Sequence, residues 1–454
     1  MTTTAPATIN VTDLIDRHPL SRLQLLTLVL CFLIVAVDGF DTAAIGFIAP
    51  AIRAEWQLTP ASLAPIFGAG LGGLMAGAFI VGPFADRFGR KRVLVASVAF
   101  FGLASLASAW AGDPTELMAL RFLTGLGLGG AMPNAITLTS EYCPARRRSF
   151  LVMSMFCGFT IGSALGGLAA AGLIEAHGWR SVLLLGGAMP LALLPLLAAA
   201  LPESVRYLVI AQRGNAPIVR ILDRIAPDER NDAAHFTVDG KPGAGSPIRL
   251  LLRPELARGT VLLWLAFFMS MLVIYLLSSW LPTLLRSTGV SLTTAALMTT
   301  MFQIGGTLGA VCLGWLMDRI DPHRVLFVSY LLAALFIALI GSLASDAVLA
   351  GALVFCAGFC VVGGQVGANA VSADFYPTDC RATGVAWANG TGRLGAIAGS
   401  MGGGAFLTAG ISLPTLFVVV GIPAAIGGAL LLTLGAVRRQ RRATAHLAAE
   451  AQPG

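Results

Sequence analysis

Asp38 and Asp41 lie about midway along the apolar stretch from Leu23 to Pro50, in the run Val-Ala-Val-Asp-Gly-Phe-Asp-Thr. An ionisable group at that depth in lipid costs several kcal/mol unless it faces a protein interior or water, so both are functional candidates. Three residues apart, they sit within about 60° of each other on a helix and share one face, which must point inward. Two carboxylates at low dielectric do not ionise readily together, and that suits reversible proton binding. The plainer alternative is a hydrogen-bonded pair that only fixes helix packing.

Arg393 is the sharpest candidate for holding an anion. It lies twelve residues past Arg381, hence about 18 Å along a helix, close to the midplane of a span. A guanidinium there requires an anion, and its fork matches a carboxylate bidentately. If no aspartate from another span neutralises it, the carboxylate of a ligand can. Gln365 and Asn369, one turn apart, and Trp387 and Asn389, close to Arg393, offer amides for a ring hydroxyl or carboxylate and a face for stacking. Phe40, Tyr275 and Trp280 could complete the walls of a slot, although each also reads as packing or as an interface anchor. Asn134, after Pro133, is more simply glue between helices.

These residues need membrane-spanning elements to position them. The chain has 454 residues, 56% hydrophobic and 12% charged, against about 25% charged in soluble domains. Apolar runs long enough to cross about 30 Å of hydrocarbon begin near Leu23, Ser62, Val93, Thr115, Phe150, Ser181, Thr260, Leu292, Val325, Ala347, Ala382 and Leu413. The expectation is an all-α membrane protein with twelve transmembrane helices. The polar first twenty residues and the length of the first apolar run argue against a cleavable signal peptide.

With the amino end in the cytoplasm, four groups of basic residues fall inside: Arg87 to Arg92, Arg146 to Arg148, Arg319 with Arg324, and Arg438 to Arg442. Only Arg53, Arg180 and Arg286 fall outside. The net charge of +7 therefore describes orientation, with both termini cytoplasmic, and implies no nucleic-acid partner. The seven cysteines form no CxxC pair or Cys/His cluster, so neither a disulfide framework nor a metal site nor a cofactor is expected, and they read as small core residues. Glycine runs at 68–73, 158–167 and 395–404 lie in apolar spans, lack a phosphate-loop pattern and read as small-residue contact faces.

The expected organisation is a cytoplasmic tail (1–21), a six-helix bundle (22–201), a polar cytoplasmic linker (202–257), a second six-helix bundle (258–436) and a cytoplasmic tail (437–454). Short helices are expected in the linker near Ala216 to Ile225 and Pro247 to Leu252. The halves echo each other. Asp86-Arg87-Phe-Gly-Arg-Lys-Arg92-Val93-Leu94 aligns with Asp318-Arg319-Ile-Asp-Pro-His-Arg324-Val325-Leu326, and Glu141-Tyr-Cys-Pro144 to Arg148 aligns with Asp374-Phe-Tyr-Pro377 to Arg381. Parallel copies of a six-helix unit are the design of alternating-access carriers.

The loop Gly82-Pro-Phe-Ala-Asp86-Arg87-Phe-Gly89-Arg90-Lys91-Arg92 resembles the signature between helices 2 and 3 of the major facilitator superfamily. That resemblance implies two six-helix bundles related by pseudo-two-fold symmetry. It also implies a breakable cytoplasmic gate, in which Gly82, Asp86, Arg87, Gly89, Arg90, Glu141, Asp318, Arg319 and Arg381 are the candidates. Gly89-Arg90-Lys91 is replaced by Asp321-Pro322-His323 in the second copy, which makes the second latch weaker. Asp38-Gly39-Phe40-Asp41, Tyr376-Pro377-Thr378 and the segment from Arg381 through Trp387, Asn389 and Arg393 resemble the bacterial aromatic acid/proton symporters of that superfamily. Pro202-Glu203-Ser204-Val-Arg206 resembles a segment shared with sugar porters. Arg121, in Leu120-Arg121-Phe-Leu-Thr-Gly125, resembles the fourth-helix motif of proton-coupled facilitators. It lies about 9 Å below one helix end, where contact with Asp41 would hold the carboxylate ionised and release would promote protonation. The same pair also reads as a static ion pair.

The resemblance implies uptake of a small aromatic carboxylate such as a hydroxybenzoate with protons, across a bacterial inner membrane, by a multi-pass monomer in the lipid bilayer. Export by proton antiport, uptake of a non-aromatic acid such as muconate, and a membrane-embedded enzyme or sensor are the alternatives. No nucleophile–base arrangement or appended signalling domain supports the last.

Overall fold

The computed structural model describes residues 8–227, 235–238, 248–343, 346–377, 380–409 and 411–450, and at 82, 83, 86, 149, 382 and 441–450 the backbone alone. Strand β1 (Thr8–Asn10) and helix α1 (Val11–Arg17) precede six long helices: α2 (Arg22–Glu55), α3 (Pro60–Phe88), α4 (Arg90–Ser108), α5 (Pro114–Tyr142), α6 (Arg148–His177) and α7 (Arg180–Ala200). After α8 (Val205–Ile210), α9 (Asn215–Ile225), β2 (His235–Thr237) and α10 (Ile248–Leu251) come six more: α11 (Pro254–Arg286), α12 (Leu292–Met317), α13 (Pro322–Leu343), α14 (Ala347–Phe375), α15 (Arg381–Thr408) and α16 (Leu413–Glu450). These twelve long helices are the expected spans. Among the described residues, ten are long and apolar enough to cross a membrane by length and composition. The two that fall short, α5 and α15, are 29 and 28 residues long and carry Arg121 and Arg393.

Local chemistry sets many of the boundaries. The carboxylate of Asp113 accepts from the N–H groups of Thr115 and Glu116, with Pro114 in the first turn of α5. Ser291 and Asp346 cap α12 and α14 in the same way. Two helices outrun the expected spans. The first, α11, begins at Pro254, six residues before the apolar run, because a polar first turn needs no lipid to be helical. The second, α16, continues to Glu450 through Arg, Gln and Ala, which are good helix formers.

The chain divides into two compact units, one made of 1–44, 69–166 and 180–243, the other of 45–68, 167–179 and 244–454. In the first, α3 and α5 pack backbone to backbone. A Cβ added at Gly73 or Gly77 would collide with the Phe122 or Leu126 carbonyl, and one at Gly125 or Gly129 with that of Gly70 or Leu74. In the second, α12 and α14 repeat the arrangement, with Gly305 and Gly309 against Phe355 and Phe359 and Gly358 against Phe302. The expected small-residue faces at 158–167 and 395–404 are present as well. Gly158 and Gly162 of α6 meet α2 at Phe32 and Ala36, while Gly395 and Gly399 of α15 meet α11 at Phe268 and Leu272. The second and fourth long helices of each half thus pair, as do the first and fifth, and this repeats the duplication seen in the sequence.

From Thr8 onward the amino-terminal tail is structured, which its composition does not announce. β1 pairs in parallel with β2 of the linker, Ile9 opposite Phe236, and α1 buries Val11, Leu14 and Ile15 in one core with Leu208, Ile218, Leu222 and Ile225 of α8 and α9. Helix α9 falls where a linker helix is expected. The cysteines are less uniform than expected. Four are buried, but Cys312 lies on an exposed face of α12. Cys143, between α5 and α6, has its thiol pushed up to about 11 by burial, with Arg148 opposing.

Candidate functional site

In the first unit, α2, α4 and α5 bring a charged pair into the core. Asp41 is 3% and Arg121 3% exposed. Arg121 Nη1 donates to Asp41 Oδ2 at 3.1 Å and to Oδ1 at 3.3 Å, and Nη2 donates to Ser108 Oγ at 2.9 Å and Thr124 Oγ1 at 3.1 Å. The Ser105 hydroxyl donates to Asp41 Oδ1. Such a pair resists desolvation because both partners are hydrogen-bonded further. Ser105 and Ser108 were not singled out from the sequence. Their spacing of three on α4, within an apolar run, is the signal that could have found them. Gly186 of α7 lies beside Phe40 and Asp41, where a Cβ would make ordinary contact with both.

Asp38 is equally buried, at 1%, and its Oδ1 accepts from Thr42 at 3.1 Å. The two aspartates therefore share a helix face but have different partners. Phe40 is 3% exposed in the same unit, beside Gly166 and Gly186. It shares that unit with the carboxylate pair.

In the second unit, α14 and α15 bring Asn369 and Asn389 together, Asn389 Nδ2 donating to Asn369 Oδ1 at 3.2 Å. Arg393, half-buried one turn from Asn389, has no hydrogen bond or ion pair among the described residues. Gln365, one turn from Asn369, is 4% exposed. Trp387 is not part of this group. It stacks on Trp264 of α11 with ring centroids 5.7 Å apart and is 41% exposed. Two residues before Asn389, it points to nearly the opposite side of α15. Tyr275 is half-buried on α11, and Trp280 is locked into the core by its indole N–H to the Ser400 carbonyl, at 2.7 Å, and an edge contact with Phe67. An apolar groove of about 460 Å³, lined by Met298, Met301 and Phe355 among others, contains none of the candidate residues.

The gate candidates divide by half. At the arginine-rich end of the first unit, Arg90 pairs with Glu141 at 3.0 Å, and Glu141 accepts from Ser204 Oγ at 2.5 Å. Glu203 accepts from the Lys91 N–H at 3.0 Å and gives its carbonyl to Tyr142 OH at 2.6 Å. Gly89, at φ +101°, lies against Glu203 and Tyr207, so a side chain there would be both strained and crowded. Glu203 and Ser204, read from sequence only as a shared segment, are the hub of this network. Arg87 is exposed, its guanidinium 5.4 Å from the Phe88 ring, and its carbonyl accepts from Tyr207 OH. Gly82 and Asp86 fall outside the described side chains.

The second half is built differently. Arg319 lies on Trp315, 3.8 Å from the ring centroid on an exposed face, and Asp318 is the exposed end of α12. Asp321 accepts from the His323 N–H and pairs with Arg439 at 2.9 Å, while Asp374 pairs with Arg438 at 2.5 Å. The carboxylate equivalent to Glu141 is thus met by the end of α16, and Asp318 and Arg319 are not drawn into that contact. Arg381 Nε donates to the Tyr376 carbonyl at 3.3 Å, as Arg148 Nε does to that of Cys143 at 3.4 Å, five residues back in both copies.

The Major Facilitator Superfamily family model matches residues 31–287 and again 263–453. The chain belongs to the Major Facilitator Superfamily. Curated relatives within this superfamily include the gallate transporter of Pseudomonas putida, 48% identical over 436 residues and covering 95% of this chain and 96% of that protein. The 4-hydroxybenzoate transporter PcaK of Pseudomonas aeruginosa is 48% identical over 431 residues, 94% of this chain and 96% of that one. The 3-(3-hydroxy-phenyl)propionate transporter of Escherichia coli is 40% identical over 86% and 88%. Two solved structures share the fold. The bacterial homolog of the human lysosomal transporter Spinster, inward-facing and unoccupied, has a TM-score of 0.70 at 16% identity, covering 92% of this chain and 98% of that one. The D-xylose–proton symporter has a TM-score of 0.69 at 18% identity, covering 90% and 97%. As a facilitator the chain is a multi-pass membrane transporter, not an enzyme.

Proposed function

We propose that this facilitator carries a small aromatic carboxylic acid, of the hydroxybenzoate kind, together with protons by alternating access. Arg393 carries the reading. It is a guanidinium about 18 Å along α15, with no carboxylate or other partner among the described residues. An arginine at membrane depth is costly without an anion and prefers a bidentate one, and a ring acid brings such a carboxylate. The curated relatives, whose names give gallate and 4-hydroxybenzoate as cargo, support an aromatic acid over muconate.

The Asp38/Asp41 pair supplies the proton step. Arg121 and the Ser105 hydroxyl both donate to the Asp41 carboxylate. Loosening that contact favours its protonation, and the proton taken up compensates the charge of the acid bound at Arg393. Asn369, Asn389 and Gln365 line the acid site, and Arg90, Glu141 and Gly89 form the gate on the arginine-rich side. Residues 22–201 and 258–436 act as the two six-helix bundles. The arginine-rich loops face the cytoplasm of a bacterial inner membrane, and the chain works as a monomer.

The test is uptake of labelled 4-hydroxybenzoate into proteoliposomes under an inward proton gradient. The wild type is expected to accumulate it, and Asp41→Asn and Arg393→Ala are each expected to lose accumulation while remaining in the membrane. Normal accumulation by Arg393→Ala would refute its role as anchor.

A further inference from the structure

Among the described residues, one buried side chain with two polar atoms leaves both of them unmatched. Gln365, 4% exposed, has no hydrogen-bond partner at Nε2 or Oε1 among the described residues. A buried donor or acceptor left unmade costs on the order of 1–3 kcal/mol, and native chains seldom keep such a group without a use for it.

The position of Gln365 suggests that use. Asn369 and Asn389 are hydrogen-bonded across α14 and α15. The two helices follow one another through the short connection 376–380 and so run antiparallel. Four residues back along α14 and four forward along α15 lead the same way, about 6 Å from the asparagine pair. Gln365 and Arg393 are those residues. They share one level on neighbouring helices of a single unit, above a fixed amide rung, and neither has a partner among the described residues.

We propose that Gln365 reads a hydroxyl group on the ring of the acid whose carboxylate Arg393 holds, and thereby makes the carrier prefer hydroxylated over unsubstituted ring acids. The proposal rests on the reading of Arg393 as the carboxylate anchor. The unmatched amide needs a partner that both accepts and donates, since Nε2 gives a hydrogen and Oε1 takes one. A phenolic hydroxyl, or two neighbouring ones, does both. A carboxylate only accepts and would leave Oε1 unmatched. In a ring acid the hydroxyl stands about one benzene ring from the carboxylate, a separation that fits the spacing of packed helices, about 8–10 Å between axes. An unsubstituted acid held at Arg393 would leave the amide unpaired. A site built to hydrogen-bond a substrate hydroxyl rejects the analogue lacking it far more strongly than an apolar slot rejects a missing methylene.

The experiment uses the full chain in proteoliposomes under an inward proton gradient. Labelled 4-hydroxybenzoate is the tracer, with benzoate, 3-hydroxybenzoate, 4-hydroxybenzoate and 3,4-dihydroxybenzoate as competitors. The near-isosteric Gln365→Met is expected to weaken competition by at least one hydroxylated acid about tenfold, while benzoate stays within about twofold, because one hydrogen-bonded contact is worth roughly that ratio. Benzoate binding reports that the variant is folded. Should Gln365→Met fail to fold, Gln365→Asn, which keeps the amide one methylene short, is expected to shift the same ratio in the same direction by less. Parallel weakening of hydroxylated and unsubstituted acids, or an unchanged ratio, overturns the proposal and leaves the anchor reading intact. Accumulation by Arg393→Ala overturns the anchor reading and this one with it.

Discussion

Arg121 and Arg393 are two guanidiniums inside the spans, one in each unit, in opposite states. Arg121 is 3% exposed, paired with Asp41 and tied to Ser108 and Thr124. Arg393 is half-buried and has no partner among the described residues. The first is neutralised by its own protein, and in the proposed mechanism the pair changes charge when Asp41 takes a proton. The second is left for something the protein does not supply. The proposed symport needs this division of labour, because a cargo arginine that was already paired would bind no acid, and a proton site without an opposing charge would have no switch.

The contrast is sharpest in stability. Replacing Asp41 by alanine leaves Arg121 charged and uncompensated in the core, at an expected cost of about 3 kcal/mol, read as a large fall in the thermal midpoint of the purified protein. The double change Asp41→Ala with Arg121→Leu should recover most of that stability without recovering uptake. A double variant as unstable as the single one would mean that the pair is not the source. Arg393→Leu is expected to change stability by no more than about 0.5 kcal/mol, since it breaks no internal contact, and still to lose stabilisation by added ring acid. A destabilisation on the Asp41→Ala scale would reveal a hidden ion pair and erase the distinction.

The two gates allow a finer comparison. Gly89→Ala places a side chain at φ +101° against Glu203, at an expected cost of about 1–2 kcal/mol, measured as a lower thermal midpoint. Arg439→Ala removes an exposed pair in which Arg439 and Asp321 are 54% and 32% exposed. It should cost no more than about 0.5 kcal/mol, with the small effect vanishing in high salt. Equal effects of the two changes would contradict the asymmetry between the halves.

The twelve spans, the duplication and the buried Asp41–Arg121 contact were legible because charge inside an apolar run is rare and costly. Asn369 and Asn389 were legible because an amide inside an apolar span also needs a hydrogen-bond partner. Less visible was everything that depends on which way a side chain turns. Trp387 is near Asn389 and Arg393 in sequence yet stacks on Trp264, because the two positions between it and Asn389 turn it by about 200°. The hydroxyls of Ser105 and Ser108 were hidden by the commonness of serine in spans. The loop copies looked equivalent at Asp-Arg, but Arg319 lies on Trp315 while Arg438 and Arg439, from a helix expected to end at 436, meet the second-half carboxylates. The pairing of β1 with β2 joins residues more than two hundred positions apart, which no local pattern encodes.

The most direct test of the division between the two arginines is proton movement driven by the acid alone. Proteoliposomes containing the wild type, with no imposed gradient, should alkalinise the external medium when 4-hydroxybenzoate is added outside. Arg393→Ala should give no signal, and Asp41→Asn none either. Acid entry without alkalinisation in the wild type, or full alkalinisation with Arg393→Ala, would contradict the coupling of a paired proton site to an unpaired anion site.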